Sequence, residues 1–294
     1  MVGARVCTAV AERGGTVRAL VRRAGTAPVL DGLSEHVGDF ADAAFASSVV
    51  EGADAVVTTV HPMGSDRATQ QQVAVEGTPM LARAARDAGV GLFVHVSTCA
   101  VYDRSPGTGD VDETSDLVGD DADDYAVTKR DTDAALAEIS GITRVLVRPP
   151  AILGAGRTSV WNTLRPAEIR DDEQQRRTNP ARTFPWVHVD DLATLIADVA
   201  TGHLPKAAAV SAGPLAGGCT PLNVAGGPAT ARHYVGTVCQ ALELAPVWDD
   251  NLPAWTGQIR TDRARGWGWT PAVTLDQALA ELRDGLRETA GPHA

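Results

Sequence analysis

Short apolar runs alternate with longer stretches of helical periodicity through the first half of the chain. The runs are TVRALV from Thr16, DAVVTTV from Asp54, LFVHVS from Leu92 and TRVLVR from Thr143. Valine-rich segments of this length, bounded by glycine or aspartate, predict strands. QVAVEGTPMLARAARDAG from Gln72 and DYAVTKRDTDAALAEI from Asp124 place apolar residues three and four apart, which predicts amphipathic helices. The chain opens on another helix, with Val2, Val6 and Val10 on one face and Gly14-Gly15 as its stop. Near-continuous apolar strands alternating with helices predict an α/β fold whose doubly wound parallel sheet is covered on both faces. Beyond Pro149-Pro150 the rhythm loosens. A polar, arginine-rich region from Gly154 to Thr183 leads into HVDDLATLIADVATG from His188, the strand LNVAGG from Leu222, and two closing helices from Thr230 and Thr274.

Composition narrows the function classes. Over 294 residues the chain is 44% hydrophobic, enough for a sizeable core, and carries a net charge of −11. That sign disfavours nucleic acid and anionic membranes, both of which need a basic surface, and favours a small-molecule substrate. No stretch approaches the roughly 20 apolar residues of a membrane span and no signal-peptide pattern opens the chain, so a cytoplasmic protein is expected; a monomer or homodimer is the expected assembly. Cys7, Cys99, Cys219 and Cys239 lack metal-ligand spacing and read as buried thiols, with no metal site. The acidic run GDVDETSDLVGDDADDY reads as a solvated loop.

Candidate chemistry sits on the helix from Asp124. Tyr125 and Lys129, four residues apart, share a face. With three tyrosines and two lysines in the chain, chance would produce this spacing about 0.02 times. Upstream, LFVHVSTCAVY ends a strand with Ser97 and Thr98 at its carboxyl end, where parallel sheets bind ligands.

Together STCAVYD and YAVTK resemble the extended short-chain dehydrogenase/reductase superfamily, the NAD-dependent epimerases and dehydratases, with Asp103 in place of a glycine. HVGDF, AVEGT, VRPPAILGAG, FPWVHVDDLA and RARGWGWTPAVTL are similar to further family segments in family order, although Ala74 replaces an asparagine. The resemblance implies a Rossmann-type sheet over residues 1–153 that binds dinucleotide. Residues 154–294 would form a smaller substrate-binding region, with 184–226 returning a helix and a strand to the sheet. It also implies Thr98 as catalytic hydroxyl, Tyr125 as acid/base and Lys129 as its partner. Gly3, Arg22, Arg23, Asp39, Phe40, Thr59, Val60, Pro149 and Ile152, with Tyr125 and Lys129, would line the cofactor. Arg22 and Arg23 end a strand where arginine accommodates a 2′-phosphate, which favours NADP, with NAD as the alternative. Their bland reading is a pair of solvated arginines. His61 reads as a structural or substrate-facing residue, and His188 as a helix start.

The resemblance implies an NAD(P)-dependent oxidoreductase that interconverts a carbonyl and an alcohol on a small molecule. The alternatives are a nucleotide-sugar epimerase using the same residues and a dinucleotide sensor without turnover. RPPAILG lacks the asparagine that sugar-nucleotide members carry, which weighs against the epimerase. Family members begin with a strand and a T-G-x-x-G-x-x-G loop, and MVG aligns with the end of that loop, Gly3 taking the third glycine. The first strand and two glycines are therefore expected to be missing from the chain as written, which would leave neighbouring strands unpaired and dinucleotide weakly held.

Overall fold

The computed structural model describes residues 1–156 and 160–290. In chain order the strands are β1 (Val17–Val21), β2 (Leu33–Val37), β3 (Ala55–Thr58), β4 (Leu92–Val96), β5 (Thr143–Arg148), β6 (Ala151–Leu153), β7 (Arg177–Thr178), β8 (Trp186–His188), β9 (Cys219–Asn223) and β10 (Val247–Trp248). The helices are α1 (Val2–Ala11), α2 (Ala43–Val50), α3 (Arg67–Gln70), α4 (Thr78–Asp87), α5 (Asp124–Ala137), α6 (Arg165–Asp171), α7 (Val189–Ala200), α8 (Ala231–Ala241), α9 (Asp262–Gly266) and α10 (Leu275–Ala290).

The central sheet runs β3-β4-β5-β9, and every pairing in it is parallel. Burial covers β4 and β5 along their whole length. Phe93 and Leu146 pack with Leu81, Ala82 and Leu136 of α4 and α5, while Val94, Val96, Val145 and Val147 pack with Leu192, Leu195 and Ile196 of α7. A separate apolar cluster joins β6 and β8 to α8 and α10, with Tyr234 stacked on Phe184 at 4.3 Å between ring centroids. Among the described residues no helix is long and apolar enough to cross a membrane.

Several boundaries differ from expectation for physical reasons. The helix expected from Gln72 is divided: Gln71–Gly77 is wound as a π-helix before α4, whose first turn contains Pro79. Proline has no N–H for the preceding turn, and the wider winding absorbs that loss. The strand expected at Leu222 starts at Cys219, because pairing with Arg144 of β5 sets its register. β2 and α2 were not evident in the hydrophobic pattern; β2 is a half-exposed edge, and α2 starts where Asp42 accepts from Phe45 N at 2.8 Å.

β1 and β2 pair in parallel with each other and stand apart from the four-stranded sheet. Among the described residues, β1 pairs only with β2 and β3 only with β4. Between β1 and β3 lies a cavity of about 1120 Å³.

Candidate active site

The carboxyl end of β4 is tied to β5 and the turn after it by two backbone bonds, Ser97 N to Val147 O at 2.7 Å and Cys99 N to Pro149 O at 2.9 Å. Thr98, between them, is buried and caps the short turn Cys99–Val101 by accepting from Ala100 N at 3.1 Å. The helix carrying Tyr125 and Lys129 starts beside it, because Asp123 accepts from Ala126 N at 3.0 Å and caps α5. Thr98 lies near enough to the Tyr125 phenol to favour its ionised form. Burial pushes the Tyr125 pKa up from its usual value, and the Thr98 hydroxyl opposes that rise.

Lys129 is buried on the next turn and donates to Val96 O at 2.7 Å. Burial, partly offset by the Asp133 carboxylate, brings its ammonium down to about 8. Asp133 is itself buried against Arg148 at 2.9 Å. Arg148 reaches the Tyr102 hydroxyl at 2.7 Å, which in turn donates to Asn223 at 2.8 Å. This polar chain links α5, β5 and β9 beneath the site. Asp133 is paired through Oδ2 only, while among the described residues its buried Oδ1 has no hydrogen-bond partner.

His61 completes the constellation. Its ring meets Tyr125 edge-on with centroids 4.9 Å apart, and Nε2 lies 3.2 Å from the Thr128 hydroxyl. Burial, and secondarily the Lys129 charge, lowers its pKa to about 3, so the imidazole is neutral at ordinary pH. Sequence reasoning noted His61 without linking it to Tyr125, since no spacing rule connects residues 64 apart. Asp133 was missed, although it follows Lys129 by four residues on the same helix face. His188 caps α7, with Nδ1 3.2 Å from Asp190 N and Nε2 3.0 Å from Glu281, as a helix-start residue would. Asp103 binds Ser105 N and Oγ in a turn.

The remaining candidates lie elsewhere. Gly3 packs on Thr59: a Cβ at Gly3 would stand 3.1 Å from Thr59 Oγ1. Thr59 and the exposed Val60 directly follow β3. Arg22 and Arg23 are exposed immediately after β1, and Asp39 is exposed after β2, accepting from Ala41 N at 2.9 Å. Phe40 is half-buried in the apolar cluster beneath Gly77. Pro149 is buried beside Cys99, and Ile152 pairs with Val187 through β6 and β8. Thr98, Tyr125, Lys129 and His61 are thus brought together, as are Gly3 and Thr59. The two arginines and Asp39 stand apart from both groups.

Residues 1–201 match the NAD(P)H-binding family. The chain belongs to that family. Over 160 residues it is 31% identical to sterol demethylase protein B of Methylococcus capsulatus, covering 52% of this chain and 49% of that protein. Over 175 residues it is 29% identical to a 3 beta-hydroxysteroid dehydrogenase/Delta 5-->4-isomerase of Mycobacterium tuberculosis, covering 55% and 47%. The chain therefore spans about half the length of the curated relatives it matches. In fold it is similar to the NAD+ complex of the enzyme WbmH of Bordetella bronchiseptica, with a TM-score of 0.75, 20% identity, and 98% and 95% of the two chains covered. A short-chain dehydrogenase/reductase superfamily protein of Agrobacterium tumefaciens with bound NAD gives 0.74, 22% identity, and 99% and 95% coverage. The UDP-glucose 4-epimerase of Thermotoga maritima gives 0.74 at 14% identity, with 99% and 96% covered.

The residues present fit the family's dinucleotide in two respects. Close approach of Gly3 to Thr59 leaves bare backbone at the first turn of α1, where a side chain would intrude. The buried Thr58 hydroxyl, one residue before Thr59, has no protein partner.

Proposed function

We propose that the protein is an NAD(P)-dependent oxidoreductase that interconverts a carbonyl and an alcohol on a small molecule through Thr98, Tyr125 and Lys129. The observation that carries this reading is that Tyr125, with Thr98 near enough to favour its ionised form, shares the carboxyl end of the central strand β4 with the buried ammonium of Lys129, which donates to Val96 O. Thr98 orients the substrate oxygen by hydrogen bond. Tyr125 gives a proton to that oxygen in reduction and takes it back in oxidation. A free phenol ionises near pH 10, so neutral-pH catalysis needs positive charge nearby, and Lys129 carries it below its pKa of about 8. A bound nicotinamide would supply or accept the hydride. Lys129 and Gly3 are the residues that would hold the dinucleotide near the chemistry, with Arg22 and Arg23 at its far end favouring NADP. Residues 1–153 form the dinucleotide side in this reading and 154–294 the substrate side.

The names of the curated relatives support carbonyl–alcohol chemistry, since one is a hydroxysteroid dehydrogenase. The epimerase reading rests on fold alone, because the neighbour named an epimerase is 14% identical. The test is a panel of 3β-hydroxysteroids, simple secondary alcohols and UDP-glucose, assayed with NADP+ and NAD+. On the substrate that turns over, Tyr125→Phe should lower the rate by about 10²–10⁴ while cofactor affinity persists. Equal turnover by Tyr125→Phe would route the proton through another group and overturn the assignment.

A further inference from the structure

Arg104 and Arg182 are cations without a counter-charge, in a protein whose net charge is −11. Arg13, Arg130 and Arg148 are largely enclosed, and each meets a carboxylate, at 2.7, 2.6 and 2.9 Å. Among the described residues the Arg104 guanidinium makes no hydrogen bond and no ion pair, although its Nε is buried, and the exposed Arg182 side chain makes none either. Arg104 is held by stacking instead. Its guanidinium lies over the Trp255 ring, 5.7 Å from the centroid. Trp255 is buried with Cys99, Val101 and Tyr102, and its Nε1 donates to Gly109 O at 2.7 Å, which fixes the ring. Trp255 also ties in Arg182. Thr183 N donates to Trp255 O at 2.9 Å, and Arg182, directly before it, is anchored by Arg182 N to Asn179 O at 3.1 Å and by Ala231 N to Arg182 O at 2.7 Å. Burial, with the Arg182 cation adding to it, lowers the Arg104 pKa against the influence of Cys99 and Asp123. The two cations therefore stand in each other's field. The opposing groups border the candidate catalytic residues, since Cys99 follows Thr98 and Asp123 caps the helix that carries Tyr125.

We propose that Arg104 and Arg182 form an oxyanion-binding site that takes a carboxylate or phosphate group of the substrate, at the end away from the reacting carbonyl. Two like charges held together, one of them mostly withdrawn from water, are costly until an anion joins them. Guanidinium suits that ligand. Its N–H donors form a fork that matches two oxygens of a carboxylate or phosphate, while its flat face stays free to stack on an indole. Arg104 follows Thr98 by six residues, so their Cα atoms are at most about 20 Å apart. One small molecule can therefore reach from Tyr125 to the arginine pair. The pair would select among carbonyl compounds by charge and fix which end of the substrate meets Tyr125. The inference rests on the proposed function for the position of the reacting end, whereas capture of the anion does not depend on it.

The test reads binding without turnover, so its outcome is separate from the fate of Tyr125. Tryptophan fluorescence and calorimetry follow titration of the full chain with succinate, inorganic phosphate and neutral succinamide, at an ionic strength held constant with chloride. At least one anion should saturate, the tighter of the two naming the substrate's group, and succinamide should not bind. Arg104→Gln and, separately, Arg182→Gln should each weaken that anion by about tenfold or more, while Arg104→Lys keeps part of the affinity. Arg170→Gln, which alters an exposed arginine paired with Asp171, should change nothing. Circular dichroism checks folding, and the exposed Arg182 decides the matter if Arg104→Gln does not fold. In the assay of the proposed function, the same anion should inhibit competitively with the substrate. Binding by neither anion, equal binding of succinamide, or an affinity unmoved by both glutamine variants would overturn the site. So would inhibition that substrate cannot relieve, or displacement of the anion by NADP+, which would assign the arginines to the dinucleotide.

Discussion

The two flanks of the nucleotide-binding half are built to different standards. On one flank β4 and β5 are buried along their whole length, each paired on both edges, and they hold Thr98 and the ends of the polar chain beneath Lys129. On the other flank β1 and β3 are each paired on one edge only, and their residues are largely half-buried. Both sets of strands are short, valine-rich and parallel. What separates them is the presence of a neighbour, which shows that burial in a parallel sheet is a property of the pairing and not of the strand's own composition.

The largest test of this contrast is stability. Phe93 is fully buried in β4 within the cluster that includes Leu81, Leu136 and Leu146. Phe93→Ala removes a ring that close-packed surroundings cannot replace and should cost about 3–5 kcal/mol in chemical denaturation. Leu20→Ala, in half-buried β1 beside the cavity, should cost about 1 kcal/mol or less, since much of its surface is already outside close packing. Similar costs at both positions would mean that the cavity flank is as tightly packed as the central strands.

The same contrast explains what was legible in the sequence. β4, β5, α5 and α7 announce themselves because two-sided burial demands unbroken apolar runs and single-face burial demands helical spacing. Tyr125 and Lys129 were legible as a pair for the related reason that a helix fixes which residues share a face. β2, with serine, glutamate and histidine in its five residues, hides because an exposed edge asks little of composition. The π-helical winding at Gln71–Gly77 depends on how backbone carbonyls are shared, which hydropathy does not record. The meeting of His61 with Tyr125 is a product of tertiary packing.

A smaller effect is expected at the rim of the open flank. Arg22 and Arg23 are exposed after β1, with no partner role in the catalytic cluster. In direct titration, NADPH should be preferred to NADH. Arg22→Asp together with Arg23→Asp should reverse that order, since loss of a charge-assisted phosphate contact costs about 1.5–3 kcal/mol, more than tenfold in affinity. The rate assigned to Tyr125 should change little at saturating cofactor. An unchanged NADPH to NADH ratio would show that neither arginine meets the 2′-phosphate.

The smallest expected effect is a pH limb, and it discriminates between the flanks by being confined to one. Burial holds the Lys129 ammonium at about 8, so the charge that the proposed function assigns to the phenol's activation is lost as pH rises through that value. In the direction of carbonyl reduction, where Tyr125 must deliver a proton, turnover at saturating substrate should therefore fall above pH about 8, by at most tenfold per unit. Asp133 is the group that holds the Lys129 value up against burial. Asp133→Asn removes that carboxylate and leaves Arg148 as an uncompensated cation nearby, and both changes disfavour a protonated Lys129. The limb should then move to lower pH in any variant that remains folded, as checked by circular dichroism across the same range. The paired arginine substitutions after β1 should leave the limb where it is. A limb that ignored Asp133→Asn in a folded variant would mean that Lys129 does not set the pH dependence, and that the buried polar chain supports the fold without tuning the chemistry.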